Sequence, residues 1–495
     1  MRPTLGPATR VLGVALAVSL GAAHLLPPPA VAQEAPRGAA ERGWLGCLAT
    51  QGGRQVASHN ADRLFVPASV TKLVVAAAAL HHLGPDHRAV TEVRAGGPLT
   101  GGTLDGDLTV VAGGDPTWSS RFFDPDQTPV AARARPVRRT VLRVRGDLVV
   151  DVRRFPGPPH PPSRSVSDVA LGFAAPTSAL AVDENAVAVE IAPGPRVGAA
   201  AKARLGKGVP EDTLTLDNHM ITVPRHRDGK GSVGFQAVWR STTLVLRGEY
   251  PISEPPYRMD VAVADGDLHA GRRILQALRA AGVTVDGGVV VRRGGATAGG
   301  TTGSPLARIA SPPVADWLEP ILTDSHNWLA EMLLRQLAER QLGAGRGDDG
   351  AELLGRFLED EVGVDSGSHR LDDASGLSPF GLLTPRTVVD LLHWAARQPW
   401  HGRFAEALAG PGEGTLRAWP ALPPGSAVKT GTLRSALGLA GYLPAGRAAD
   451  GPVVFACFLN QRLDDRRRQR RELVDAARSF LRDPAGAAST PAGGG

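Results

Sequence analysis

The stretch Val66-Pro67-Ala68-Ser69-Val70-Thr71-Lys72-Leu73-Val74-Val75, running on into Ala76-Ala77-Ala78-Ala79-Leu80, decides how the rest of the chain is read. No helix breaker interrupts it between Ser69 and Leu83, and Gly84-Pro85 closes it, so a helix over about 69–83 is expected. That helix is apolar almost all round, which places it inside a domain rather than on a surface. A lysine in such a place needs a reason. Ser69 and Lys72 stand three residues apart, so on a helix they share one face within reach of each other. A serine hydroxyl needs a neighbouring base to act as a nucleophile at neutral pH, and a lysine desolvated near other positive charge can lose its proton and serve. Alone the S-x-x-K pair is a weak signal, because a helix-capping serine with a lysine one turn on is common.

Working outward, Trp44–Thr50 and Arg54–His59, joined by Gln51-Gly52-Gly53, read as a hairpin ahead of this helix. Residues 91–300 change texture to short β-rich runs punctuated by Gly, Pro and Asp, with one amphipathic helix near Gly271–Ala281 and no internal repeat read among them. Helical patterns return over Val314–Leu342, Ala351–Glu361 and Pro385–Arg397. Three strands follow, Ala427–Leu433, Leu437–Leu443 and Val453–Leu459, then a basic amphipathic helix opening at Arg466. The first hairpin and the last three strands can join into one antiparallel sheet with helices on both faces, an α+β fold carrying a large, mainly β insertion. The divisions expected are a leader over 1–32, a discontinuous body over 33–90 and 301–483, the insertion over 91–300, possibly two nested units, and a low-complexity tail over 484–495.

Composition narrows the function classes. At 495 residues, 42% hydrophobic and 21% charged, the chain is an ordinary multidomain globular protein. Arg2 and Arg10, the apolar run Val11–Leu26 and Ala30-Val31-Ala32 read as an export signal cleaved before Gln33, the alternative being an uncleaved anchor. No later run is long and apolar enough to span a bilayer. A net charge of +6 is modest for this length and argues against a nucleic-acid partner. Cys47 and Cys457 lie in short apolar runs on strands that become neighbours if the sheet forms, so a bridge and two buried thiols both remain open. The thirteen histidines make no H-E-x-x-H or comparable ligand spacing, so neither a metal nor any other cofactor is expected. Of 55 basic residues only five are lysine, which marks each one as a candidate for work a guanidinium cannot do.

Two further motifs complete the pattern. Ser325-His326-Asn327 stands ahead of the helix near Trp328, where its bland reading is a helix cap. Lys429-Thr430-Gly431-Thr432 lies on a strand, where a lysine and hydroxyls can hold a carboxylate and glycine lets a substrate backbone approach. S-x-x-K, S-x-N and K-T-G in this order, on a helix, a helix start and a strand, form the triple of penicillin-binding proteins and serine β-lactamases. The chain resembles the D-alanyl-D-alanine carboxypeptidase/endopeptidase family of class C low-molecular-mass penicillin-binding proteins. The likeness runs from about Gly43 to Leu481 and includes Gly106-Asp107-Leu108, Gly113-Gly114-Asp115-Pro116, Asp373-Ala374-Ser375-Gly376-Leu377-Ser378 and Gly441-Tyr442. The long stretch between Ser69 and Ser325 also resembles that family, which carries extra domains there.

The resemblance implies an extracytoplasmic serine peptidase acting on peptidoglycan stem peptides that end in D-Ala-D-Ala, with β-lactams as covalent inhibitors. It implies Ser69 as nucleophile, Lys72 as base, Ser325 and Asn327 as proton relay and lysine orienter, and Lys429, Thr430 and Thr432 as the carboxylate site. Gly431 gives the substrate backbone room, and the N–H groups of Ser69 and Thr432 form the oxyanion hole. His326 departs from the Asp or Asn more usual at that position. A β-lactamase is the weaker alternative, since no E-x-x-L-N segment lies between Ser325 and Lys429. A wall-binding or scaffolding module with a vestigial site is the alternative outside enzymes.

Overall fold

The computed structural model describes residues 43–123, 129–207, 209–210, 212–224, 232–237, 241–294, 303–445 and 451–481. The expected leader and tail lie outside the described residues. The body is built from β1 (Trp44–Gln51), β2 (Arg54–His59), α1 (Lys72–His82), α2 (Asn327–Leu342), α3 (Pro385–Ala396), β3 (Ala427–Thr432), β4 (Ala436–Leu443), β5 (Val453–Asn460) and α4 (Arg466–Ser479). The five strands form one antiparallel sheet in the order β2-β1-β5-β4-β3, so the first hairpin and the last three strands close together as expected.

Strand alternation explains why helices lie on both faces. Along β5, Val454, Ala456 and Phe458 face the core that contains α1, whereas Val453, Phe455, Cys457 and Leu459 face the smaller core closed by Leu473, Val474 and Ala477 of α4. Cys47 and Cys457 are directly paired across β1 and β5, on the α4 side, and are joined by a disulfide. Replacing both by alanine is expected to cost about 2–5 kcal/mol of stability, because the cross-link restricts a very long stretch of unfolded chain. Equilibrium denaturation of the oxidised protein and the variant checks this.

The inserted region is mainly β, as expected, and adds a helix not expected, Pro129–Arg138. Prolines at 129 and 136 and arginines at 133, 135 and 138 hide its apolar side, which is Val130, Ala134 and Val137. The late helix spans Gly266–Ala280, a turn earlier than expected, with Asp265 accepting from the Leu268 N–H as its cap.

The expectation of no internal repeat is overturned. Thr103–Val111, Arg143–Asp151 and Thr284–Arg292 are three copies of one strand–turn–strand unit whose strands stack in parallel register, Leu108 against Leu148 against Val289. Asp107 accepts from the Asp147 N–H, and Asp147 accepts in the same way from the Gly288 N–H. Each copy is only nine residues long and keeps little more than a glycine and a few valines, too little to stand out in a sequence. The strand Val90–Ala95 pairs with Ser304–Ala310, so the chain enters and leaves the insertion through one ladder.

Candidate active site

The turn that carries Ser69 is shaped by what lies beneath it. Gly431 of β3 and Gly438 of β4 are direct cross-strand partners. A Cβ on Gly431 would sit 2.5 Å from the Pro67 carbonyl oxygen, and one on Gly438 would sit 2.9 Å from Val70 and 3.0 Å from the same oxygen. Paired glycines therefore let residues 67–71 lie on the sheet itself. That segment is a 3-10 turn, Ala68–Thr71, and the α-helix begins only at Lys72, later than expected. The reason is Ala68, whose φ of 50° is left-handed and turns the chain sharply before the serine. No side chain caps this helix start, so Ser69 is not spent on capping.

Ser69 and Lys72 are both buried, and Lys72 Nζ lies 2.9 Å from Ser69 Oγ. The ammonium also donates to Asn327 Oδ1 at 2.7 Å and to the Ser375 carbonyl at 2.5 Å. Burial pushes Lys72 down to about 7, with Arg164 adding to the fall and Asp373 and Glu331 opposing it. Lys429 is also fully buried, donates to the Thr430 carbonyl at 3.0 Å, and is pushed well below its ordinary value by burial and then by Lys72.

His326, not Ser325 or Asn327, caps α2: its Nδ1 accepts from the Leu329 N–H, which leaves Nε2 to donate to Glu184 Oε2 at 2.8 Å. The histidine is thus engaged with the insertion and takes the capping work that a serine or asparagine would otherwise do. Ser325 adopts a left-handed φ of 63°, and its hydroxyl makes no hydrogen bond among the described residues. Glu184 comes from the insertion, inside a run of three left-handed residues, Asp183–Asn185. Burial pushes its carboxyl up, but His326 and Arg121 outweigh that and hold it at about 2. Beside it opens a cavity of about 770 Å³ lined in part by Arg121, Phe173, Glu184, Lys207, Arg273 and His326.

Other residues of the site carried no role in the sequence reading. Thr415 Oγ1 lies 2.7 Å from Thr430 Oγ1, and its N–H donates to the Thr323 carbonyl, tying the K-T-G strand to the S-x-N loop. In the Asp373–Ser378 loop, Asp373 accepts from Ser375 Oγ and from the N–H groups of Gly376, Leu377 and Ser378, which fixes the Ser375 carbonyl under Lys72. Glu331, one turn along α2 from Asn327, accepts from the Ala374 and Ser375 N–H groups. That loop was visible as a family-like segment, but nothing in the sequence says which atom of it touches the lysine.

A sheet flanked by helices, with S-x-x-K on a buried turn and S-x-N and K-T-G converging on it, defines a penicillin-binding serine peptidase. The model of the D-Ala-D-Ala carboxypeptidase 3 (S13) family matches residues 31–480, and the chain belongs to that family. It is 32% identical over 430 residues to a D-alanyl-D-alanine carboxypeptidase of Actinomadura sp. (strain R39), covering 83% of this chain and 76% of that protein. In fold it is similar to penicillin-binding protein 4 from Haemophilus influenzae, at 22% identity and a TM-score of 0.77 over 89% of this chain and 97% of the other. The same protein complexed with a β-lactam matches with a TM-score of 0.71 at 22% identity, over 90% and 96% of the two chains.

Proposed function

We propose that this chain is an exported serine D-Ala-D-Ala carboxypeptidase/endopeptidase that hydrolyses peptidoglycan stem peptides through an acyl-enzyme on Ser69. The observation that carries the reading is the buried Lys72 ammonium between Ser69 Oγ at 2.9 Å and Asn327 Oδ1 at 2.7 Å. When Lys72 is neutral the serine contact reverses, the hydroxyl donating to the amine. Ser69 Oγ then attacks the carbonyl between the two D-alanines as its proton passes to Lys72 Nζ, and the N–H groups of Ser69 and Thr432 receive the oxyanion. The C–N bond breaks as the proton travels through Ser325 to the leaving D-alanine nitrogen. Water hydrolyses the ester and restores Ser69.

The arriving terminal carboxylate favours the charged form of Lys429, which burial and Lys72 disfavour, and accepts from the hydroxyls of Thr430 and Thr432. Gly431 keeps the sheet edge bare enough for the substrate backbone, and the cavity beside His326 receives the part of the stem that precedes the D-alanines. In this reading the body is 33–90 with 301–483, the insertion is 91–300, and the ladder between Val90–Ala95 and Ser304–Ala310 joins them. The Cys47–Cys457 disulfide supports an oxidising, extracytoplasmic setting, reached through the leader of residues 1–32. No helix among the described residues is long and apolar enough to cross a membrane.

Intact mass after incubation with benzylpenicillin tests the proposal. The expected result is an adduct of one penicillin per chain that persists, and none on Ser69→Ala. Well-folded protein without an adduct would bring the binding module forward, and rapid β-lactam turnover would favour a β-lactamase.

A further inference from the structure

The chemistry at Ser69 depends on a buried amine that must be neutral to act, yet two carboxylates stand beside it. Glu331 sits on α2 one turn below Asn327, and Asp373 anchors the loop whose Ser375 carbonyl accepts from Lys72. Both are buried. Two negative groups this close to an amine favour its protonated form. Against them stands a cation from a different part of the chain, Arg164, in the loop that follows the strand Leu148–Asp151 of the insertion.

The Arg164 side chain is 4% exposed. Its Nη2 lies 3.2 Å from Glu331 Oε1 and 3.5 Å from Ser375 Oγ, and Nη1 lies 3.9 Å from Asp373 Oδ2. Two of its nitrogens, Nε and Nη1, have no hydrogen-bond partner among the described residues. A guanidinium used as a structural clamp saturates its donors, because each buried unpaired N–H is costly. Arg335, from the next turn of α2, is such a clamp, donating to the carbonyls of Pro156, Pro158 and Gly345. Arg164 instead leaves donors empty and brings its charge to within reach of both carboxylates.

We propose that Arg164 is a positioning residue through which the inserted region readies Lys72 as a base, by offsetting the two buried carboxylates that would otherwise keep the amine protonated. The inference rests on the reading of Lys72 as base given above. The charged and titratable groups facing this pocket are Glu331 and Arg335 from α2, Asp373 from its loop, Lys72 from α1, Lys429 from β3, His160 from Arg164's own loop, and Asp348, which lies beside Arg335. Burial, followed by Arg164 and Arg335, pushes His160 down to about 4, so it brings no charge near neutral pH. Burial and Asp373 push Glu331 up, and Arg164 with the hydrogen bonds from Ser375 and Ala374 opposes that rise. If Arg164 is lost the pocket takes up a proton more readily. In this proposal it goes to Lys72, since the Glu331 oxygens already accept from backbone N–H groups.

The test is the pH dependence of the second-order rate constant for acylation by benzylpenicillin, measured on the full mature chain. Arg164→Met is expected to move the acid limb up by about one pH unit, a loss of about tenfold at pH 6, while the alkaline plateau stays within about twofold of wild type. Arg164→Lys, which keeps the charge, is expected to hold the limb in place. In Arg164→Met/Glu331→Gln the opposing charges leave together, and the limb is expected to return near its wild-type position. Should Arg164→Met fail to fold, the double variant and Glu331→Gln alone carry the test, the latter with its limb below wild type. An unmoved limb, an equal loss at every pH, or failure of both Arg164→Met and the double variant to fold would overturn the proposal and leave Arg164 a scaffold residue. A wild-type enzyme with no acid limb would instead sink the assignment of Lys72 as base.

Discussion

Replacing Lys72 by methionine is expected to lower the rate constant for acylation by benzylpenicillin by about 100- to 10,000-fold, the range that a positioned general base contributes. Methionine keeps the length of the buried side chain while removing its charge and its donors, so the position stays filled. What is lost is the only amine within hydrogen-bond reach of Ser69 Oγ among the described residues. The wild-type pH profile adds a second, independent check. Burial holds Lys72 at about 7, so the amine is neutral above that pH and charged below it. Because the neutral form takes the proton, acylation is expected to fall by about tenfold for each pH unit below about 7 and to level off above it. The methionine variant should lose that limb along with its rate. Stopped-flow acylation from pH 5.5 to 9.5 measures both.

Gly376→Ala is expected to lower acylation by about 100-fold, the loss that follows when a reacting group is displaced by about 1 Å. Gly376 has a φ of 73°, and a Cβ there would lie 1.9 Å from the Ala68 carbonyl oxygen and 3.0 Å from the Ser69 nitrogen. Neither neighbour can give way cheaply. Ala68 is already in the left-handed region, and the other side of the turn rests on Gly431 and Gly438. The methyl therefore pushes the nucleophile and one oxyanion donor together, with a stability cost of about 1–3 kcal/mol from the strained backbone. Gly53→Ala is the matched control. Its φ is 77°, but nothing lies within 4 Å of the new Cβ. It should carry the backbone cost, about 1 kcal/mol, with acylation unchanged. Thermal unfolding and acylation rates on the two variants separate strain in general from displacement of Ser69.

The residues that were legible in the sequence are those whose chemistry is odd for their surroundings. A lysine inside an alanine run cannot be read as surface, and a lysine on an apolar strand in a chain that otherwise uses arginine stands out in the same way. The sheet was legible because β1, β4 and β5 are apolar enough to be central strands and too short to be buried helices. Arg164, Glu331 and Thr415 were not legible. Each is a common residue type, and each gains its place from a partner far along the chain, Arg164 from Glu331 and Ser375, Thr415 from Thr430 and Thr323. The late start of α1 was hidden for a different reason. The left-handed residue that delays it is an alanine, where a reader looks for glycine. His326 shows the opposite case: its departure from the usual residue was visible, but Glu184, which it meets, lies in the insertion and could not be named beforehand.

The disulfide on the far face of the sheet makes one covalent ring of residues 47 to 457, and Ser69, Ser325 and Lys429 all lie on that ring. A protease that cuts once anywhere in the insertion opens the ring without dividing the molecule. The nicked protein would run as one species on a non-reducing gel and as two under reduction. The fragment bearing Ser69 would stay tethered to the fragment bearing the other two motifs, through a bond that takes no part in the chemistry.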